Sequence, residues 1–163
     1  MKDRVSIVSL GHWDEANALR ALLETMQMEV RFLRPKQKSD VTNALTRASE
    51  DDVVVLSAQG GPRGLLLGDL TDAIWHPATD IFEGVKFRTN SVLISTASVT
   101  RENGLVVAML ISGGHLIAPN GTPDRRSVVP WIGACLLRAH IGLAEAVLSA
   151  NALVEPDDQF SYG

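Results

Sequence analysis

The stretch DVVVLSAQGGPRGLLLGD, residues 52–69, constrains the chain more than any other. Its first half is a run of Val and Leu without polar alternation, which is what a strand buried on both faces requires. Its second half is rich in glycine, so the strand runs directly into a sharply turned loop. A strand covered on both sides needs helices above and below it, and strand and helix patterns do alternate along the chain. Residues 4–10 (RVSIVSL) and 29–33 (EVRFL) read as strands before this one, and 91–97 (SVLISTA) and 115–118 (HLIA) as strands after it. Ala16, Leu19, Leu22, Leu23 and Met26 recur at helical spacing, with Asp14 and Glu15 placed to complement the helix dipole in the first turn. Ser39 is the expected N-cap of a second helix with Val41, Leu45 and Ala48 on its inner face. A third helix covers 104–111 and ends at Gly113 and Gly114. Thr122 and Pro123 open a fourth, in which Pro130 predicts a kink or a restart, and 143–151 form the last.

Between these elements the patterns are weaker. Residues 65–67 read as a short strand folded back near the sheet and 70–75 as a short helix, while 154–163, with EPDDQ inside, read as a mobile tail. The whole predicts one three-layer α/β/α domain over residues 1–153 with a mainly parallel sheet, its strands in the spatial order 2-1-3-4-5.

Composition narrows the function classes. At 163 residues, 45% hydrophobic and 21% charged, the chain is long enough for a single buried core. A net charge of -4, with Lys and Arg scattered, gives no footprint for nucleic acid. No apolar run reaches the roughly 18 to 20 residues that cross a bilayer. Cys135 is the lone cysteine, so no internal disulfide is expected and the chain reads as cytoplasmic. The glycine spacing matches neither a P-loop nor a dinucleotide fingerprint, and no His, Cys and carboxylate cluster has zinc spacing, so neither cofactor nor metal is expected. Trp13, Trp75 and Trp131 are large apolar surfaces that would suit a homo-oligomer, although Trp131 at helical spacing fits a core.

In a parallel sheet, ligands bind at the carboxyl ends of the strands. The loops after Ala58 and Ala97 should therefore share one crevice. Gly60, Gly61 and Arg63 are its candidate anion-binding or oxyanion groups, and His12, Trp13 and Asp14, after the first strand, are candidates to line it. Ser98 ends the fourth strand and is the candidate nucleophile.

Two motifs here resemble one family. VVVLSAQGGPRGLLLGD resembles the strand and loop of caspase-like peptidases, especially the bacterial CHAT family, in which small residues precede a His-Gly pair. SVLISTASVT resembles the next core strand of that family, which ends in a Ser-Ala-Cys-Glu-Thr pattern. GLVVAMLISGGHLIAP and LAEAVLSAN are similar to its later helix, glycine pair, strand and closing helix, so the resemblance runs through residues 52–151. It implies a caspase-like, flavodoxin-like strand order and a His/Cys dyad that cleaves peptides. This chain departs at both dyad positions, with Gln59 at the histidine's place and Ser98 at the cysteine's. An amide cannot take up and return a proton near neutral pH, and a serine without a base is a weak nucleophile. The resemblance thus implies a catalytically degenerate domain that binds a protein or peptide partner. The alternatives are a hydrolase in which His12 or His76 serves Ser98, and a flavodoxin-like small-ligand domain. His115 and His140 read as structural or surface residues, and Cys135 as a buried structural thiol.

Overall fold

The computed structural model describes residues 4–11, 13–68, 73–98 and 102–163, without the Trp13 side chain. In chain order the first half comprises β1 (Arg4–Ser9), α1 (Trp13–Thr25), β2 (Glu29–Leu33), α2 (Lys38–Ala48), β3 (Val53–Ser57), β4 (Gln59–Gly61) and β5 (Gly64–Leu67). The second half comprises β6 (Ile74–His76), α3 (Ala78–Ile81), β7 (Val92–Ser95), α4 (Leu105–Ser112), β8 (His115–Pro119), α5 (Arg125–Leu137), α6 (Leu143–Asn151) and β9 (Phe160–Tyr162).

The main sheet has the order β2-β1-β3-β7-β8-β9. Its first five strands are parallel and stand in the predicted order; only β9 runs antiparallel. Alternate side chains divide between two cores, as the pleat requires. Val8, Leu56 and Leu93 face Val41 and Leu45 of α2 and Met109 of α4. Val5, Ile7, Val55 and Ile94 face Leu19 and Leu23 of α1, Trp131 and Ile132 of α5, and Val147 of α6. These are the three layers, and Trp131 belongs to the core rather than to an oligomer surface. Among the described residues no helix is long and apolar enough to cross a membrane.

Several local expectations need correction. Residues 154–163, read as a mobile tail, hold β9, whose Ile117–Tyr162 and Pro119–Phe160 pairs extend the sheet. The reason is Asn151 at the end of α6. Its Oδ1 accepts the Phe160 N–H at 2.9 Å and the Trp131 Nε1–H at 3.0 Å, while its Nδ2 donates to the Phe160 carbonyl at 2.8 Å. Phe160 then stacks on Trp131 with ring centroids 4.0 Å apart. Asp158 adds a second tie, accepting from the Asp124 N–H at 2.7 Å.

The fourth long helix starts at Arg125 with Asp124 as its N-cap, accepting from the Arg126 N–H at 2.8 Å; the Thr122 and Pro123 start is two residues too early. This helix continues through Pro130 without a restart, and Pro130 lies on its exposed side. Helix α2 begins at Lys38 with Gln37 as its N-cap, so Ser39 lies inside the first turn instead of before it. Of the helix expected over 70–75, the part within the described residues, Ile74 onward, is instead strand β6. It joins β4 and β5 in a separate antiparallel sheet, where Trp75 pairs with Leu66.

Candidate functional site

Strand β3 pairs with β7, placing Leu56 opposite Ser95. Both chains therefore leave the carboxyl edge of the sheet side by side. Thr96, the first residue past β7, latches them: its Oγ1 accepts the Ala58 N–H at 3.1 Å and lies 3.4 Å from the Leu56 carbonyl. Gln59 follows Ala58 directly and Ser98 lies two residues beyond Thr96; these are the two positions singled out in the sequence.

The glycine-rich stretch is a hairpin. Gln59 pairs with Leu66 and Gly61 with Gly64, with Pro62 and Arg63 forming the turn. Two of its glycines are required by close approach. Gly60 is buried, and a Cβ there would drive into the Ser98 carbonyl oxygen. At Gly61 a Cβ would stand 2.9 Å from Cη2 of Trp75. The glycines thus let the hairpin lie flat against the β7 loop on one side and the Trp75 indole on the other.

Asn103 completes this junction, and the sequence reading missed it. It is 1% exposed, and its Nδ2 donates to the Ser98 carbonyl at 3.2 Å while its Oδ1 accepts the Leu105 N–H at 2.9 Å. One side chain thereby holds the Ser98 backbone and satisfies the start of α4, where Gly104 has no side chain to do so. The Asn103 carbonyl also accepts the Ala78 N–H at 3.1 Å. An Asn two residues before a helical apolar run is a capping signal, and that signal was available in the sequence.

On the other side of β3, Ser57 donates to Glu15 Oε1 at 2.7 Å. Glu15, not Asp14, is the α1 carboxylate that reaches the sheet; Asp14 is exposed. Arg63 is exposed at the hairpin turn and forms no ion pair among the described residues. His12 and the Trp13 side chain fall outside the described residues. Gln59 is exposed and Ser98 half-buried, and among the described residues no hydrogen bond is made by the Ser98 hydroxyl or the Gln59 amide.

The histidines are elsewhere. His115 starts β8 opposite Val92, at the amino edge of the sheet, with Nδ1 3.2 Å from the Tyr162 hydroxyl. His140 is exposed in a one-turn 3-10 helix. His76 pairs with Leu65 in β6 and borders a cavity with Leu10 and Gly11, apart from Ser98. Cys135 is fully buried, and desolvation pushes its thiol up to about 11, so it is neutral and unreactive at ordinary pH. Among the described residues no three His, Cys, Asp or Glu side chains group as metal ligands.

No protein-family model matches the chain, and no curated protein matches it significantly.

Proposed function

We propose that this protein is a catalytically degenerate caspase-like domain that binds a protein or peptide partner at the surface where the β3 and β7 loops meet. The observation that carries the reading is the placement of Gln59 and Ser98. They stand at the positions the resemblance gives to a histidine and a cysteine, on adjacent chain segments joined by Thr96 and by Gly60 against the Ser98 carbonyl. On this reading Gln59 and Ser98 take the places of a dyad and lack the side chains suited to proton transfer and thiolate attack. A cytoplasmic setting is part of this reading, since Cys135 is buried and has no second cysteine to pair with.

The test is mass-spectrometric mapping of the folded protein after exposure to a serine-reactive fluorophosphonate, with Ser98→Ala alongside. The expected result is no modification at Ser98. Stoichiometric labelling there, lost in Ser98→Ala, would establish a recruited base and replace this reading with a serine hydrolase.

A further inference from the structure

A cavity lies on the carboxyl edge of the sheet, beyond β1. It has a volume of about 690 Å³, within the range that holds small organic ligands. Its floor is made where two backbone segments meet: Gly11 follows β1 and Gly68 follows β5, both at positive φ, and a Cβ on Gly11 would come within 2.7 Å of the Gly68 carbonyl oxygen. Leu10, Leu67 and Ile74 supply apolar wall, and Ile74 is 61% exposed there.

The rim has the opposite character. Lys36, in the β2–α2 connection, and Lys38, the first residue of α2, border the cavity, and His76 borders it from β6. Neither lysine forms an ion pair among the described residues, although the chain as a whole carries a net charge of -4. Asp40, in the first turn of α2, is exposed and bonds to neither of them. Helix α2 begins at Lys38, so its positive end adds to the field of the two ammonium groups. Two ammonium groups without an ion pair among the described residues and an imidazole over an apolar wall make a complement for a molecule with a compact dianionic head and an apolar body. Lysine binds phosphate as a compact point charge with three rotatable donors. A phosphomonoester carries about -1.5 to -2 charge at neutral pH, which two ammonium groups balance.

We propose that this cavity binds a small phosphomonoester, its phosphate held by Lys36 and Lys38 with His76 beside it, and its apolar part against Leu67 and Ile74. The site is separate from Ser98 and does not depend on the degenerate-dyad reading.

The experiment is a 15N–1H correlation titration of the full chain with phenyl phosphate, inorganic phosphate and benzoate. Phenyl phosphate is expected to shift amides of residues 36–40 and 74–76 in a saturable way. Inorganic phosphate should shift the 36–40 group more weakly, and benzoate weaker still. The exposed lysines can be changed without disturbing the core, so Lys36→Gln with Lys38→Gln should keep the melting temperature and weaken phenyl phosphate by about tenfold or more. Arg138→Gln removes an exposed cation outside the cavity and should leave the affinity unchanged. Equal affinity in the lysine double variant, equal loss in Arg138→Gln, shifts centred elsewhere, or none at millimolar ligand would each overturn the proposal. A preference for benzoate over phenyl phosphate would overturn the assignment of a phosphate.

Discussion

Replacing Gly60 by Ala tests the joint on which the candidate crevice is built. Gly60 does not need a positive φ, so an added methyl group costs only what its neighbours impose. Those neighbours are the Ser98 carbonyl oxygen, well inside contact, with Asn103 Nδ2 at 3.0 Å and Ala97 Cβ at 3.1 Å. None is the free end of a flexible side chain. The carbonyl is backbone, Ala97 directly follows the Thr96 latch, and Asn103 is fixed by its bonds to Ser98 and Leu105. The hairpin or the β7 loop must shift, which places the cost at the upper end of overpacking, about 3 kcal/mol. For a chain of this size that is a fall in melting temperature of roughly 6–12 °C. Gly113→Ala is the control: its φ of 84° is strained for alanine, but nothing lies within 4 Å of the added atom. It should cost about 1 kcal/mol. Urea denaturation of both variants gives the comparison. A Gly60→Ala protein as stable as the parent, or no worse than Gly113→Ala, would refute the packing of β4 on the Ser98 loop.

Four further outcomes follow from the same contacts. Asn103→Ala should lose about 1–2 kcal/mol by urea denaturation, since it removes both the Ser98 carbonyl bond and the cap of α4; an unchanged midpoint would contradict the bridging role. Phe160→Ala should lose about 3–5 kcal/mol in the same assay, because the ring is 1% exposed and stacked on Trp131. A loss below about 1 kcal/mol would mean the C-terminal strand adds little to the fold. Asp51→Ala should destabilise by about 1–3 kcal/mol, since it removes the buried partner of the Ser6 hydroxyl and the anion facing Arg4 and Arg31 at 3.7 and 3.9 Å; thermal melting checks it. The Cys135 thiol, held near 11 by burial, should resist a disulfide reagent at pH 8 in the native protein and react promptly in denaturant. Prompt native reaction would contradict its burial.

The parallel sheet was legible because its strands are short runs of Val, Ile and Leu separated by helical stripes. Val54 and Val55 face opposite cores, so both must be apolar, and that is the pattern a doubly covered strand writes into a sequence. The order of the strands followed from handedness and short connections. The last strand was not legible, because its burial depends on Asn151 accepting from Phe160 and Trp131, a contact between residues that have no local pattern in common. Of the second sheet, the strand at 65–67 was legible and its partners β4 and β6 were not: Gly60 and Gly61 look like turn residues, and only the nearness of Ser98 and Trp75 shows that they are flat packing positions within a strand. At the site, residue types pointed to Gln59 and Ser98. The residues that join their segments, Thr96 and Asn103, use side chains to hold backbone atoms of distant residues; the capping pattern of Asn103 was readable, but its reach to the Ser98 carbonyl was not.

The most direct measurement of the central claim restores the dyad. The rate of iodoacetamide alkylation against pH should be compared for Ser98→Cys alone and for Ser98→Cys combined with Gln59→His. If the two positions are placed as a dyad, the added imidazole lowers the pKa of the new thiol, and alkylation near pH 6 accelerates by about tenfold or more, since paired thiols fall well below the free value of about 8.5. Superimposable pH profiles for the two variants, both folded, would contradict the claim that Gln59 and Ser98 occupy the framework of a caspase-like site.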